Sequence, residues 1–217
     1  MQKHIITTIS PLLFALFINL IVLILFFVFD GQKHPQILEE GGLIESLSSA
    51  GYFLCLLLAS ILGGWAYIKK HHYFLLLILM FGLRELDFHN QFTTMSILKA
   101  RFYLSNDVPW FEKFIGAIVI ALIIYVVIVI VNKYSRDFFS KLKQLSPTHI
   151  GAVLTFLFLG FTKSIDGIGR KLADINFIIT PKSVGIFEVI EEILEMGIPM
   201  LIAATLIIYF KTLRGQQ

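Results

Sequence analysis

Long apolar stretches that are nearly free of charge alternate with short charged segments along the whole chain. Stretches of about 20 apolar residues have the length of a helix that crosses the hydrocarbon core of a bilayer. The pattern therefore predicts an all-α integral membrane bundle of about six transmembrane helices, forming a single domain. The predicted spans are 9–29, 43–68, 73–92, 114–131, 148–164 and 187–210.

Basic residues are distributed unequally between the two sides that these spans define. The side that holds the N-terminus has nine basic residues and one acidic residue, whereas the other side has nine basic and fourteen acidic residues. Because cytoplasmic loops are enriched in Lys and Arg, we expect the first side, and with it both termini, in the cytoplasm. The basic residues of that side are Lys3, Lys69, Lys70, Lys133, Arg136, Lys141, Lys143, Lys211 and Arg214.

The amino-acid composition also favours a membrane protein over a soluble domain. The chain is 57% hydrophobic and 15% charged, with a mean hydropathy of +0.81, whereas about 25% of the residues in a soluble domain are charged. The net charge of +3 is small and indicates no nucleic-acid partner. We therefore expect a multi-pass protein of a bacterial inner membrane with lipid as its partner. Association with a second copy of the chain or with other membrane proteins stays open.

Ionisable residues interrupt the third predicted span. At ~1.5 Å per residue, Arg84 lies ~17 Å and His89 ~25 Å along a helix that crosses a core ~30 Å thick. A charge in a span costs at least about 2.5–3.5 kcal/mol, so such residues face a partner or a wet cavity. Glu45 and Ser49 in the second span, and the glutamates of the sixth, reach the same layer. We predict a polar chamber open to the outer side; the alternative is that this layer is the outer membrane interface.

Carboxylates and a histidine in that layer have spacings that favour a metal site. Glu85 and His89 are four residues apart and share a helix face, as do Glu191 and Glu195. Several carboxylates with one imidazole suit a divalent cation such as Zn, Mn or Mg. We therefore expect these four residues to bind a metal. The alternative is a salt-bridge network built on Arg84, Arg170 and the glutamates.

Pro199 follows the glutamates of the sixth span. Because proline has no backbone N–H, it cannot donate to the carbonyl of Glu195. The sequence predicts that the helix opens locally beside that carboxylate, with a plain packing kink as the alternative.

A second group of charges, "KSIDGIGRKLAD", follows the fifth span. Asp166 and Arg170 are four residues apart and therefore share a helix face, and Lys171 follows directly. Paired cations at a leaflet edge suit a lipid phosphate. We expect Arg84, Asp166, Arg170 and Lys171 to contact a polar cofactor or headgroup. The alternative is an ordinary helix end with anchoring charges.

Four motifs, "EEGGLIE", "RELDFHNQF", "DGIGRKL" and "EEILEMGIP", resemble those of uncharacterised bacterial multi-pass membrane proteins with acidic motifs at helix ends. The chain is also similar, in short pieces, to alkaline-ceramidase-like membrane hydrolases. That resemblance implies catalytic roles for Glu45, Ser49, Asp87 and His89. Where those hydrolases have a late HxxxH zinc motif, this chain has "EEILE", with Glu191 and Glu195 at the two corresponding positions.

Three functions fit these features. A metal-dependent lipid hydrolase facing the outer leaflet is the leading hypothesis. A proton- or cation-coupled transporter or accessory subunit would use the same carboxylates, although the cytoplasmic halves of the spans are nearly free of polar residues. The third is a structural bundle held by salt bridges.

Overall fold

The computed structural model describes residues 2–29 and 42–214, without the side chains of residues 2–7 and 89, and every regular element in those ranges is helical. This confirms the all-α prediction. The elements are α1 (Gln2–Val28), α2 (Leu43–Glu85), α3 (Phe88–Gln91), α4 (Ala100–Leu104), α5 (Trp110–Lys143), α6 (Pro147–Ile165), α7 (Ile168–Ala173) and α8 (Pro181–Arg214).

Five of the described helices, α1, α2, α5, α6 and α8, are long and apolar enough to cross a membrane. The prediction of a helical membrane bundle is confirmed at this level. Several helices extend beyond the apolar stretches that predicted them: α5 begins at Trp110 and ends at Lys143, and α8 begins at Pro181 and ends at Arg214. The backbone of the charged residues at these ends continues the helical hydrogen bonding. The number of crossings and the location of the termini stay predictions.

Helix α2 doubles back on itself. Its 43 residues would extend ~65 Å if straight, yet the ring of Tyr52 stacks on that of Phe81 with centroids 5.9 Å apart. Non-helical backbone at Gly64 (φ 60°, ψ −170°) and His71 (φ −117°, ψ 20°) makes the reversal. Gly64 adopts a conformation that is essentially restricted to glycine. The sequence predicted a break at 69–72, and the structure begins the reversal five residues earlier because the glycine is there.

Helix α8 is the centre of the bundle. In the most apolar stretch of each candidate span, 56% of the residues are buried in α8, against 11–22% in the other four. Helices α1, α2 and α6 pack around it. One apolar cluster joins α2 to α8 through Tyr52, Cys55, Ala59, Ile78, Ile198, Leu206 and Phe210. Residues on α8 therefore face protein on most sides.

Pro199 is a packing residue on this central helix. Helix α8 runs from Pro181 to Arg214 with Pro199 inside it, so the proline does not end the helix, although the Glu195 carbonyl lacks the donor that proline cannot supply. A Cβ added at Gly51 would lie 2.9 Å from the proline ring, and the thiol of Cys55 donates to the Pro199 carbonyl at 3.2 Å. The glycine lets α2 approach α8 closely at this level.

The bundle has two chemically different ends. Helices α1 and α8 are antiparallel, since Leu12 packs near Ile208 whereas Phe26 packs near Val189. The end formed by the reversal of α2 and the last turns of α5 and α8 is called the basic end. Its described basic residues are Lys69, Lys70, Lys133, Arg136, Lys141, Lys143, Lys211 and Arg214. The opposite end, formed by both termini of α2, the turn from α6 to α7 and the start of α8, is called the acidic end.

Candidate functional site

One guanidinium joins two carboxylates where the last turn of α2 meets the middle of α8. Arg84 Nη2 donates to Oε1 and Oε2 of Glu195 at 2.9 and 3.0 Å, and lies 3.2 Å from Oε1 of Glu85. The side chains of Glu85 and Glu195 are 6% and 12% exposed, and that of Arg84 is 28% exposed. These three residues are called the Arg84 triad.

The triad is a buried ion-pair network with unequal charges. A half-buried guanidinium beside two buried carboxylates replaces water as the partner of both, so the loss of the cation would leave two uncompensated charges. With both carboxyl groups ionised, the triad has one negative charge in excess. Any positive group that reaches it is therefore attracted.

A polar cavity lies beside the triad and shares Glu85 with it. The cavity has a volume of about 280 Å³. The doubling back of α2 forms it, because the first and last turns of α2 become neighbours and α3 closes the side. The lining residues are Glu45, Ser46, Ser49, Glu85, Leu86, Asp87 and Gln91. This space is called the acidic cavity.

Local backbone geometry explains how the wall near α3 forms. Asp87 has a left-handed conformation (φ 52°, ψ 25°), which ends α2 and starts α3 in a new direction. Asp is among the residues that tolerate this region best. Asn90 Nδ2 donates to Asp87 Oδ2 at 3.3 Å, and Gln91 Nε2 donates to the Leu86 carbonyl at 2.9 Å. The predicted third span, 73–92, therefore ends as a regular helix at Glu85.

Hydroxyl groups on the first turns of α2 have different environments. Ser49 is buried, and its hydroxyl donates to the Ser46 carbonyl at 2.9 Å. The Ser48 hydroxyl is buried without a hydrogen-bond partner among the described residues. The proton of Ser49 is thus directed at the helix backbone.

The structure brings most of the predicted catalytic residues together. Glu45, Ser49 and Asp87 all line the acidic cavity, where Glu85 joins them. His89 belongs to α3, but its side chain lies outside the described part of the chain. The sequence analysis missed Ser46 and Gln91. Gln91 follows Asp87 by four residues, and this spacing is the signal that could have placed it on the same face.

The predicted metal site gains no support. Among the side chains that the structure describes, no group of three or more His, Cys, Asp or Glu residues is arranged to hold a metal ion. Glu85 and Glu195 share Arg84 instead, which is the salt-bridge alternative. Glu191 is partly buried one turn away. Because Arg84 already binds these carboxylates, the residues do not fit the zinc centre that the resemblance to hydrolases implies.

The second charged group forms a helix end of its own. Lys171 Nζ donates to the carbonyls of Lys163 and Ser164 at 2.9 and 3.4 Å, which caps the last turn of α6. Lys163 forms an ion pair with Asp166. Although partial burial of Asp166 opposes the effect, the ammonium of Lys163 holds the pKa of that carboxyl below its ordinary value. Arg170 is exposed.

These residues are therefore separate from the cavity. The predicted set of Arg84, Asp166, Arg170 and Lys171 divides between the Arg84 triad and the turn from α6 to α7. The acidic cavity is lined by other residues. The contacts of Lys163, Asp166 and Lys171 match the alternative of an ordinary helix end with anchoring charges.

Comparisons with protein-family models, curated proteins and solved structures gave no match. The resemblances that the four motifs suggest stay predictions. What the fold defines is an α-helical protein whose long apolar helices suit a membrane.

Proposed function

We propose that this is an integral membrane protein that binds the protonated amine of a small molecule or lipid headgroup in the acidic cavity. The observation that carries the proposal is the double role of Glu85, which belongs to the Arg84 triad and also lines the cavity. With both carboxyl groups ionised, the excess negative charge of the triad therefore lies next to the cavity. Glu45 and Asp87 add two further carboxylates to the same wall.

The lining suits a primary ammonium group. Carboxylates accept hydrogen bonds, and the serine hydroxyls and the Gln91 amide can accept them too. An ammonium group offers three donors and one positive charge, so it can donate hydrogen bonds to several of these oxygens at once. A cavity of about 280 Å³ holds several times the volume of a water molecule, which is about 30 Å³. An aminoethyl group fits such a space.

The packing below the cavity favours binding over transport. Toward the basic end, the space between α2 and α8 is filled by the apolar cluster that contains Tyr52, Cys55 and Ile198, all at most 1% exposed. A transported ion would need a polar route through this layer. The cavity therefore serves one side of the bundle.

Lipid hydrolysis is a second candidate, favoured by the convergence of Glu45, Ser49 and Asp87 on one cavity. It requires a base that activates the hydroxyl, and Ser49 donates to a backbone carbonyl instead. Release of headgroup or fatty acid from phosphatidylethanolamine by the purified protein would support it. Loss of that release in Ser49→Ala, with ligand binding retained, would assign the role to Ser49.

Ligand binding is tested by thermal unfolding of the detergent-solubilised protein. Ethylammonium should raise the midpoint by mass action, and ethanol, its neutral analogue, should not. Phosphatidylethanolamine, compared with phosphatidylcholine, distinguishes a headgroup from a free amine. Glu45→Gln should remove the shift, and Glu188→Gln should keep it because Glu188 is exposed on α8 and is not part of the lining. Equal shifts with ethylammonium and ethanol would overturn the proposal.

We also propose that the acidic end faces the outer side of a bacterial inner membrane. The support is the concentration of basic residues at the opposite end. Reporter fusions after Asn106 and at the C-terminus should give opposite signals, with the C-terminus in the cytoplasm. A C-terminus on the outer side would reverse the membrane face at which the cavity opens.

A further inference from the structure

The basic end has a local group of exposed cations at the reversal of α2. Lys69 and Lys70 lie in the reversal itself, and Lys133 lies on the neighbouring helix α5. All three are exposed. Asp137 is the single acidic residue among the segments of this end, and it pairs with Lys141 at 2.9 Å. The positive charge at the reversal is therefore not balanced by the protein.

Aromatic rings hold Lys133 beside the reversal. Its ammonium lies 5.3 Å from the ring centroid of Tyr134 and 6.0 Å from that of Tyr73. These distances are in the range of a cation–π contact. The Tyr134 hydroxyl approaches the Lys70 carbonyl at 3.5 Å. Lys133 on α5 is thus placed beside the backbone of Lys70 in the reversal of α2.

A layer of stacked aromatic rings packs against the reversal of α2. His71 stacks on Tyr67 with centroids 4.5 Å apart, and the Tyr209 hydroxyl lies 3.4 Å from His71 Nε2. Tyr134 lies against Phe74 at 5.0 Å. The rings come from α2, α5 and α8, so they fix the three helices relative to one another. The positions of Lys70 and Lys133 follow from that rigid layer.

The surface next to these cations is apolar. Trp65 is 69% exposed, with Lys69 5.6 Å from its ring, and Ile61, one turn earlier on α2, is 71% exposed. On α5, Ile128 and Val131 are exposed in the turns beside Lys133. Tryptophan with a neighbouring lysine is typical of a membrane interface. A ligand that spans both surfaces has an anionic head and an apolar tail.

We propose that Lys70 and Lys133, at the reversal of α2, bind the phosphate of an anionic phospholipid whose acyl chains lie on the apolar surface of α2 and α5. Basic pockets between transmembrane helices on the cytoplasmic side bind anionic headgroups in this way. The lipid, rather than free phosphate, is the ligand because exposed apolar side chains flank Lys133 on α5 and Lys69, the neighbour of Lys70, on α2.

The test measures phosphatidylglycerol binding to the purified full chain in detergent, by titration followed by thermal unfolding or native mass spectrometry. A basic residue near an anionic surface contributes about fivefold in affinity, so Lys70→Gln/Lys133→Gln should bind roughly 25-fold more weakly. Lys133→Gln alone should lose about fivefold, and Lys133→Arg should keep the affinity. The single variants allow the test even where the double variant is poorly folded.

The matched control is Lys141→Gln/Lys143→Gln, which also removes two positive charges from the basic end, ~12–15 Å along α5 from Lys133. It should keep most of the affinity. Equal losses in the two double variants would indicate diffuse attraction and overturn the local site. Equal binding of phosphatidylcholine, or a thermal shift produced as well by soluble glycerol phosphate, would also overturn it.

Discussion

The two ends of the bundle contain charged groups in opposite environments. At the acidic end, Arg84 and its two carboxylates are largely buried between α2 and α8 and bind one another. At the basic end, Lys69 and Lys133 are exposed and lie against aromatic rings, and the ion pair of Lys141 with Asp137 is about half exposed. Buried charges depend on each other, whereas exposed charges depend on solvent and lipid. The difference predicts unequal responses to the same substitution.

Removal of the central cation should have the largest effect. We expect Arg84→Gln to destabilise the protein by about 3–5 kcal/mol, because two buried carboxylates lose their partner. Lys141→Gln, which breaks an exposed pair, should cost no more than about 1 kcal/mol. Thermal or denaturant unfolding in detergent measures both. Similar small costs for the two variants would show that the buried and exposed ends do not differ energetically.

A double-variant cycle sharpens this prediction. If Arg84 matters because it neutralises Glu195, then Glu195→Gln should remove part of the penalty of Arg84→Gln. Residues in one ion-pair network have interaction energies of about 0.5–3 kcal/mol. Strict additivity of the two single effects would mean that the contact at 2.9 Å does not contribute in solution.

The reversal of α2 should have the next largest effect, because it creates both ends at once. Gly64→Ala introduces a side chain at φ 60° and ψ −170°, and we expect a cost of about 1–3 kcal/mol. The control is Gly160→Ala on α6, where an added Cβ meets nothing within 4 Å. In that helical position alanine should stabilise by about 0.5–1 kcal/mol. Equal responses at the two glycines would contradict the strained conformation at Gly64.

Sequence patterns predicted the helices well because burial in lipid requires long apolar stretches. They also placed Arg84, Glu85 and Glu195 in one layer, since depth follows from counting residues along a helix. The sequence left a metal site and a salt-bridge network as alternatives, because the choice between them depends on helix rotation and on the close approach of Gly51 to Pro199. Summed carboxylate charge suggested a metal, whereas in the structure one guanidinium contacts two carboxylates.

The helix boundary at the acidic end could not be predicted from the apolar pattern either. The sequence continued the third span to 92, but Asp87 ends the helix with a left-handed residue. Apolar periodicity does not contain that information. The turn helps to place Gln91 on the cavity wall. Gln91 and Ser46 were missed, while Glu45, Ser49 and Asp87 were found.

The smallest expected effect tests whether burial or position in the bundle decides the cost of breaking an ion pair. Lys163 and Asp166 form an ion pair at the acidic end, but their side chains are 61% and 37% exposed. If burial rather than location decides, Asp166→Asn should cost no more than about 1 kcal/mol, as at an exposed pair. A cost comparable to that of Arg84→Gln would mean that the whole acidic end is energetically coupled.

The pH dependence of this small effect has a definite sign. Because the pKa of Asp166 is lowered in the folded protein, the folded state favours the ionised carboxylate. Its contribution to stability is complete above the ordinary aspartate pKa of about 3.9 and is lost as the pH falls through the lower folded pKa. Unfolding midpoints of the parent protein and Asp166→Asn should therefore differ slightly at neutral pH and converge on acidification. Midpoints that diverge below pH ~4 would contradict a carboxylate held ionised by Lys163.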